Sequence, residues 1–299
     1  MNKLLQFPFV RIISAVVLVG IGITLGQTIL NTLRAAFSIT NTGLANLLAF
    51  VLVAPATYFA YWIYVRFIEK RDLTELGPSH AFQEIGLGSL IGFGLFSFII
   101  LILWLLDLYG VTGINFVLLP LIGALAGAFV SAFAQELIFR AVIYRITEEW
   151  LGTWWALVIS ALLFGLIHLS SAGATIFSAL AVALQAGVVL AAAYALTHRL
   201  WMALGLHMAW DFANDDIFGV GVAGQSGQSL HGLLQAHLNG PKLLTGGALG
   251  IEASIITLAI MLIAGIIMLR KAHQQGQWVS PKNKSQREPA HSTAGKISL

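Results

Sequence analysis

Residues 85–106 read IGLGSLIGFGLFSFIILILWLL, twenty-two residues without one charge. A helix needs about 20 predominantly apolar residues to cross the hydrocarbon core of a bilayer, so this stretch alone is long enough to span. It has company on both sides. Similar runs occupy approximately Phe9 to Ile29, Gly43 to Val65, Phe116 to Ile138, Trp154 to Leu169, Ile176 to Leu196, Trp201 to Ile217 and Leu249 to Leu269. The fourth should continue as helix to about Glu149, since no breaker intervenes. The sequence therefore predicts an all-α, polytopic membrane helix bundle of about eight transmembrane helices.

Composition agrees. Of 299 residues, 58% are hydrophobic and only 10% charged, against about 25% charged in a soluble domain. The absence of cysteine excludes disulfides, thiolate metal sites and a cysteine nucleophile. The net charge of +3 does not point to nucleic acid, because the basic residues sit between and after the apolar runs as topology requires. With the N-terminus inside, fourteen Lys and Arg fall on inner segments and only Arg34 and Lys242 outside. That bias predicts both termini to be cytoplasmic. The first run resembles a signal peptide behind Lys3, yet its length and the lack of a small-residue cleavage site suit a retained anchor helix. Residues 1–272 are expected to form one transmembrane domain. Gly219 to Gly247 should be a long outer loop, and 273–299 a disordered cytoplasmic tail.

Ionisable groups within spans are costly and mark function by default. Here they are Glu136, His168, His207 and Asp211, with Glu252 at the start of the last span. In SAFAQELIFRAVIYR (131–145), Glu136 and Arg140 lie one turn apart on one helix face. In LLFGLIHLSS (162–171), Phe164 and His168 are spaced the same way, as are His207 and Asp211 in LGLHMAWDFAND (204–215). Each pair has a bland reading: a neutralising ion pair, a satisfied core histidine, a local hydrogen bond. Depth links them. Glu136 and His168 lie thirteen and fourteen residues from Glu149 and Trp154 at the inner boundary, roughly 20 Å at 1.5 Å per residue. His207 and Asp211 lie eight and twelve residues from Arg199, roughly 12 and 18 Å by the same rise. One shared site explains this better than three unrelated core polars. Glu148 and Glu149 read as a solvated helix end, and Glu252 as a local cap or partner.

These three segments resemble the CPBP intramembrane proteases, which include the CAAX prenyl endopeptidases and Abi-type proteins. That family carries Glu-Glu-x-x-x-Arg, Phe-x-x-x-His and His-x-x-x-Asn/Asp on three membrane helices. The matching residues are Gln135, Glu136 and Arg140, then Phe164 and His168, then His207 and Asp211, within a core of 129–218. The resemblance implies an endopeptidase acting on a membrane-associated peptide or protein. In the family the first glutamate and first histidine are taken to activate water, while the second histidine and Asn/Asp stabilise the oxyanion. Gln135 departs from the pattern, because an amide cannot accept the proton.

The expected mechanism gives water activation to Glu136 and His168, and oxyanion stabilisation to His207 held by Asp211. Glu136, His168, His207 and Asp211 also make a chemically plausible site for a divalent metal such as Zn, although the His-Glu-x-x-His signature is absent. Whether a cofactor is needed stays open. The expected partners are membrane lipid and a membrane-associated substrate, without nucleic acid. Two other classes compete: a catalytically silent scaffold or immunity factor, favoured by Gln135, and a transporter using the same buried groups as a proton relay.

Overall fold

The computed structural model describes residues 7–171, 174–220 and 232–281. The chain is an integral, multi-pass membrane helix bundle. Its helices are α1 (Pro8–Ala36), α2 (Thr42–Ile63), α3 (Ala81–Leu105), α4 (Leu118–Glu136) running on into α5 (Arg145–Leu151), α6 (Thr153–Ile167), α7 (Ile176–Val182) running on into α8 (Val188–Thr197), α9 (Leu200–Asp211), the short α10 (Lys242–Thr245) and α11 (Ile255–Gln274). Among the described residues, seven helices are long and apolar enough to cross a membrane. The eighth expected span is also helical, over α9 and its extension Phe212–Ile217. It carries Asp211, Asp215 and Asp216 and stands inside the bundle, where nine of the twelve residues of α9 are buried. The outer faces of the other helices present bare apolar side chains, such as Ile13, Leu90 and Ile267, as a lipid-facing surface requires.

Several expectations need correction. The last helix begins at Ile255, not near Leu249. Gly246 and Gly250 take left-handed φ values of 82° and 62°, which break any helix before that point. The outer loop is not wholly irregular either. β2 (Leu234–Leu238) pairs antiparallel with β1 (Tyr109–Ile114), Tyr109 opposite Leu238 and Ile114 opposite Leu234. This two-stranded ribbon joins the α3–α4 and α9–α10 connections at one end of the bundle; residues 221–231 of the loop lie outside the described residues.

The opposite end is tied by ion pairs. Glu69 accepts from Arg11, Arg71 and Arg145, and Glu75 from Arg71 and Tyr61. Burial opposes charge on Glu75, but the guanidiniums of Arg71 and Arg145 outweigh it and hold its pKa below the usual range. Glu148 is buried and accepts from Tyr144, Thr153 and His198, so it is not the solvated helix end expected. The segment expected as tail is ordered at its start. Trp278 packs on Trp154, and the Val279 carbonyl accepts from Thr153 N–H; residues 282–299 lie outside the described residues.

Glycine sets the helix spacing that matters for the site. A Cβ on Gly88 of α3 would strike the Met202 carbonyl of α9, and one on Gly205 would strike the Ile85 carbonyl. Such small-residue contacts let membrane helices approach backbone to backbone. They fix the position of α9, and with it His207.

Candidate active site

Three of the elements that hold the site depart from α geometry there. α4 turns π-helical over Leu137–Tyr144 directly after Glu136, α9 over Phe212–Ile217 directly after Asp211, and α7 passes into α8 through a π segment, Ala183–Gly187. An i→i+5 turn widens the helix and changes which residues share a face; such segments recur at functional sites.

Glu136 is fully buried. Its Oε1 accepts from Arg140 at 3.2 Å and from His207 Nδ1 at 2.8 Å. Arg140, also fully buried, donates to the Gly187 carbonyl at 3.2 Å and lies 4.6 Å from the centroid of the Phe164 ring. The guanidinium therefore neutralises the carboxylate and stacks on the aromatic ring of the next helix. A side chain on Gly187 would meet the backbone of Ala161, so glycine is what brings this carbonyl within reach. Glu136 Oε2 and Arg140 Nε are buried with no hydrogen-bond partner among the described residues, a cost that structural pairs usually avoid.

His168 ends α6. Its Nδ1 lies 2.8 Å from the Phe164 carbonyl. A carbonyl only accepts, so Nδ1 carries the proton and Nε2 of the neutral ring is left as an acceptor. Phe164 packs against both imidazoles, 5.0 Å from His168 and 5.7 Å from His207. With Nδ1 of His207 given to Glu136, its Nε2 lies 3.6 Å from Asp211 Oδ2, too far for a direct hydrogen bond.

His168, His207, Asp211, Phe164, Trp210 and Glu252 all line one small cavity of about 30 Å³, enough for a water molecule or so. Thus α6, α9 and the turn before α11 converge on one cavity, which holds three of the four residues expected at a shared depth. Glu136 does not line it; it stands behind His207. The carboxylate expected to be only a local cap or partner is Glu252. It accepts from the indole of Trp210 at 3.0 Å, and its backbone carbonyl accepts from Gln185. Its partner is thus forty-two positions away, not local. The only sequence signal was an acidic residue flanking an apolar run, which a helix cap explains equally well. Gln135 donates to Ser131 at 3.0 Å.

Of the four residues that would hold a metal if one were required, Glu136 is the least available. Glu136 spends Oε1 on His207 and Arg140, whose guanidinium, 3.2 Å off, would repel a dication. Among the described residues no three His, Asp or Glu groups are placed to hold one ion.

Residues 116–213 match a protein-family model described as type II CAAX prenyl endopeptidase Rce1-like. The match covers all three motifs and bears out the resemblance to the CPBP and CAAX proteases. At family level it supports an intramembrane CAAX-type protease. No curated protein and no solved structure matches the chain.

Proposed function

We propose that the chain is an intramembrane endopeptidase that hydrolyses a peptide bond of a membrane-associated protein or peptide. The observation that carries this reading is the convergence of His168, His207, Asp211 and Glu252 on one small, water-sized cavity. Water in that cavity attacks the scissile carbonyl carbon. His168 Nε2 takes its proton and later passes it to the leaving amide nitrogen. The developing oxyanion is met by His207. That ring has a carboxylate at each nitrogen, Glu136 at 2.8 Å and Asp211 at 3.6 Å, so a ring protonated on both sides is compensated on both. Glu136 is a positioning residue: it holds the ring, and Arg140 holds Glu136. Because the cavity admits water and not a peptide, substrate enters only as the helices part. Both termini are placed in the cytoplasm on the Lys and Arg bias.

Gln135 favours a second reading, a catalytically silent homologue acting as a scaffold or immunity factor. The test is proteolysis by purified protein against membrane-anchored peptides, prenylated and unprenylated Cys-a-a-X sequences included. Wild type should cleave, and His168→Ala and Glu136→Ala should not. Cleavage by Gln135→Glu alone would establish the silent homologue instead.

A further inference from the structure

A second cavity lies apart from the site, between the ends of α3, α8, α9 and α11 that stand on the ion-paired side of the bundle. It is much larger, about 750 Å³, within the range of sites that take a ligand-sized molecule. Its wall is divided by depth. Toward the helix ends it is polar, with His80, Glu84, Arg199 and Lys271; deeper, it is apolar, with Leu87, Ile91 and Leu95 on α3 and Ala264 and Met268 on α11. From Glu84 to Leu95 is eleven residues of helix, roughly 17 Å of rise, so the apolar part reaches well into the hydrocarbon layer.

The charges on the wall are unequal. Arg199 and Glu84 bond to each other and cancel. Lys271 is exposed, and no ion pair of it is found among the described residues. Among the described residues one cation is left over at the rim, and the groove beneath it is apolar. A completed C-terminal dipole explains a basic residue in the last turn of α11, but not a groove lined by four segments below it.

We propose that this groove binds an anionic membrane lipid, its chain against Leu87, Ile91, Leu95 and Met268 and its headgroup at Lys271. The occupant is a lipid rather than a soluble anion because the polar and apolar zones are stacked along the membrane normal, as in an amphiphile. Seated there, it braces Met202 and Arg199 at the start of the helix that bears His207. The site is independent of the proteolytic reading.

Native mass spectrometry of the full chain tests this, with phosphatidylglycerol and phosphatidylcholine of identical chains as probes. Wild type should retain one phosphatidylglycerol in preference to phosphatidylcholine. Lys271→Glu should lower that retention about tenfold, since a basic residue near anionic lipid is lost and a repulsion gained. Arg270→Glu changes net charge equally but does not line the groove, and should have little effect. Ala264→Trp should displace either lipid; its fold is checked by its unfolding transition. Equal retention of the two lipids, equal effects of the 270 and 271 reversals, or unchanged binding in a folded Ala264→Trp protein would each overturn the proposal.

Discussion

Arg140→Met is the perturbation whose size follows most directly from the geometry. The guanidinium is fully buried, bonded to Glu136 and the Gly187 carbonyl, and stacked on Phe164. Removing one member of a buried pair costs about 3–5 kcal/mol, because the remaining charge is stranded. The unfilled Gly187 carbonyl costs roughly a further 1–3 kcal/mol in isolation. These contributions are coupled and do not add, so the expected loss is about 4–5 kcal/mol. Adding Glu136→Gln removes the stranded charge and should restore at least about 2 kcal/mol, leaving mainly the carbonyl and the ring uncompensated. The chain has eight tryptophans and no cysteine, so unfolding in mixed micelles can be followed by intrinsic fluorescence without labels. A single variant destabilised by less than about 1 kcal/mol would show that the pair is not buried as described. A double variant no more stable than Arg140→Met would refute the charge argument itself.

The site makes sharper demands on rate than on stability. His168→Ala should lower kcat by about 10²–10⁴, the usual worth of a general base, and the same protein should unfold like wild type in the fluorescence assay. Gly88→Val drives a side chain into the Met202 carbonyl; overpacking of this kind costs about 1–3 kcal/mol, read as an earlier unfolding midpoint together with lost activity, since α9 carries His207. Outside the membrane spans, His198 donates to Glu148 at 3.0 Å, and this bond raises its pKa above the ordinary value against the opposing effect of burial. A raised folded pKa gives a stability contribution that is full below the unfolded value of about 6.5 and lost as pH rises through the folded one. Wild type should therefore lose more stability between pH 6 and 8 than His198→Asn does, and parallel profiles would show that the pair contributes nothing.

Much of the bundle was legible because hydropathy needs only run length. All eight runs carry a helix, and the depth count set Glu136, His168, His207 and Asp211 at similar depth before any packing was known; three of these four line one cavity. What was not legible depends on partners distant in sequence. Glu148 looked solvated because its partners Thr153 and His198 come from other segments. Glu252 looked local because the indole that holds it is on α9. The ribbon of β1 and β2 escaped detection because its strands are five or six residues long and separated by six helices, α4 to α9. The i, i+4 spacing paired His207 with Asp211, whereas the closer carboxylate is Glu136, seventy-one positions earlier.

The same geometry bears on Gln135. Consecutive residues on a helix point about 100° apart, so positions 135 and 136 of α4 cannot both face His207. Glu136 has that direction and Gln135 has Ser131. A glutamate restored at 135 would not add a carboxylate to the His207 pair. The carboxylates on the cavity wall come from elsewhere, Asp211 and Glu252. If hydrolysis takes place in that cavity, Glu252→Gln should impair it by at least tenfold, comparable to the loss of one positioned polar group at about 1.4 kcal/mol, while Gln135→Ala should change kcat by less than about twofold. Measuring both against one cleaved peptide decides the matter. A large effect at 135 with none at 252 would move the reaction off this cavity and onto the other face of α4.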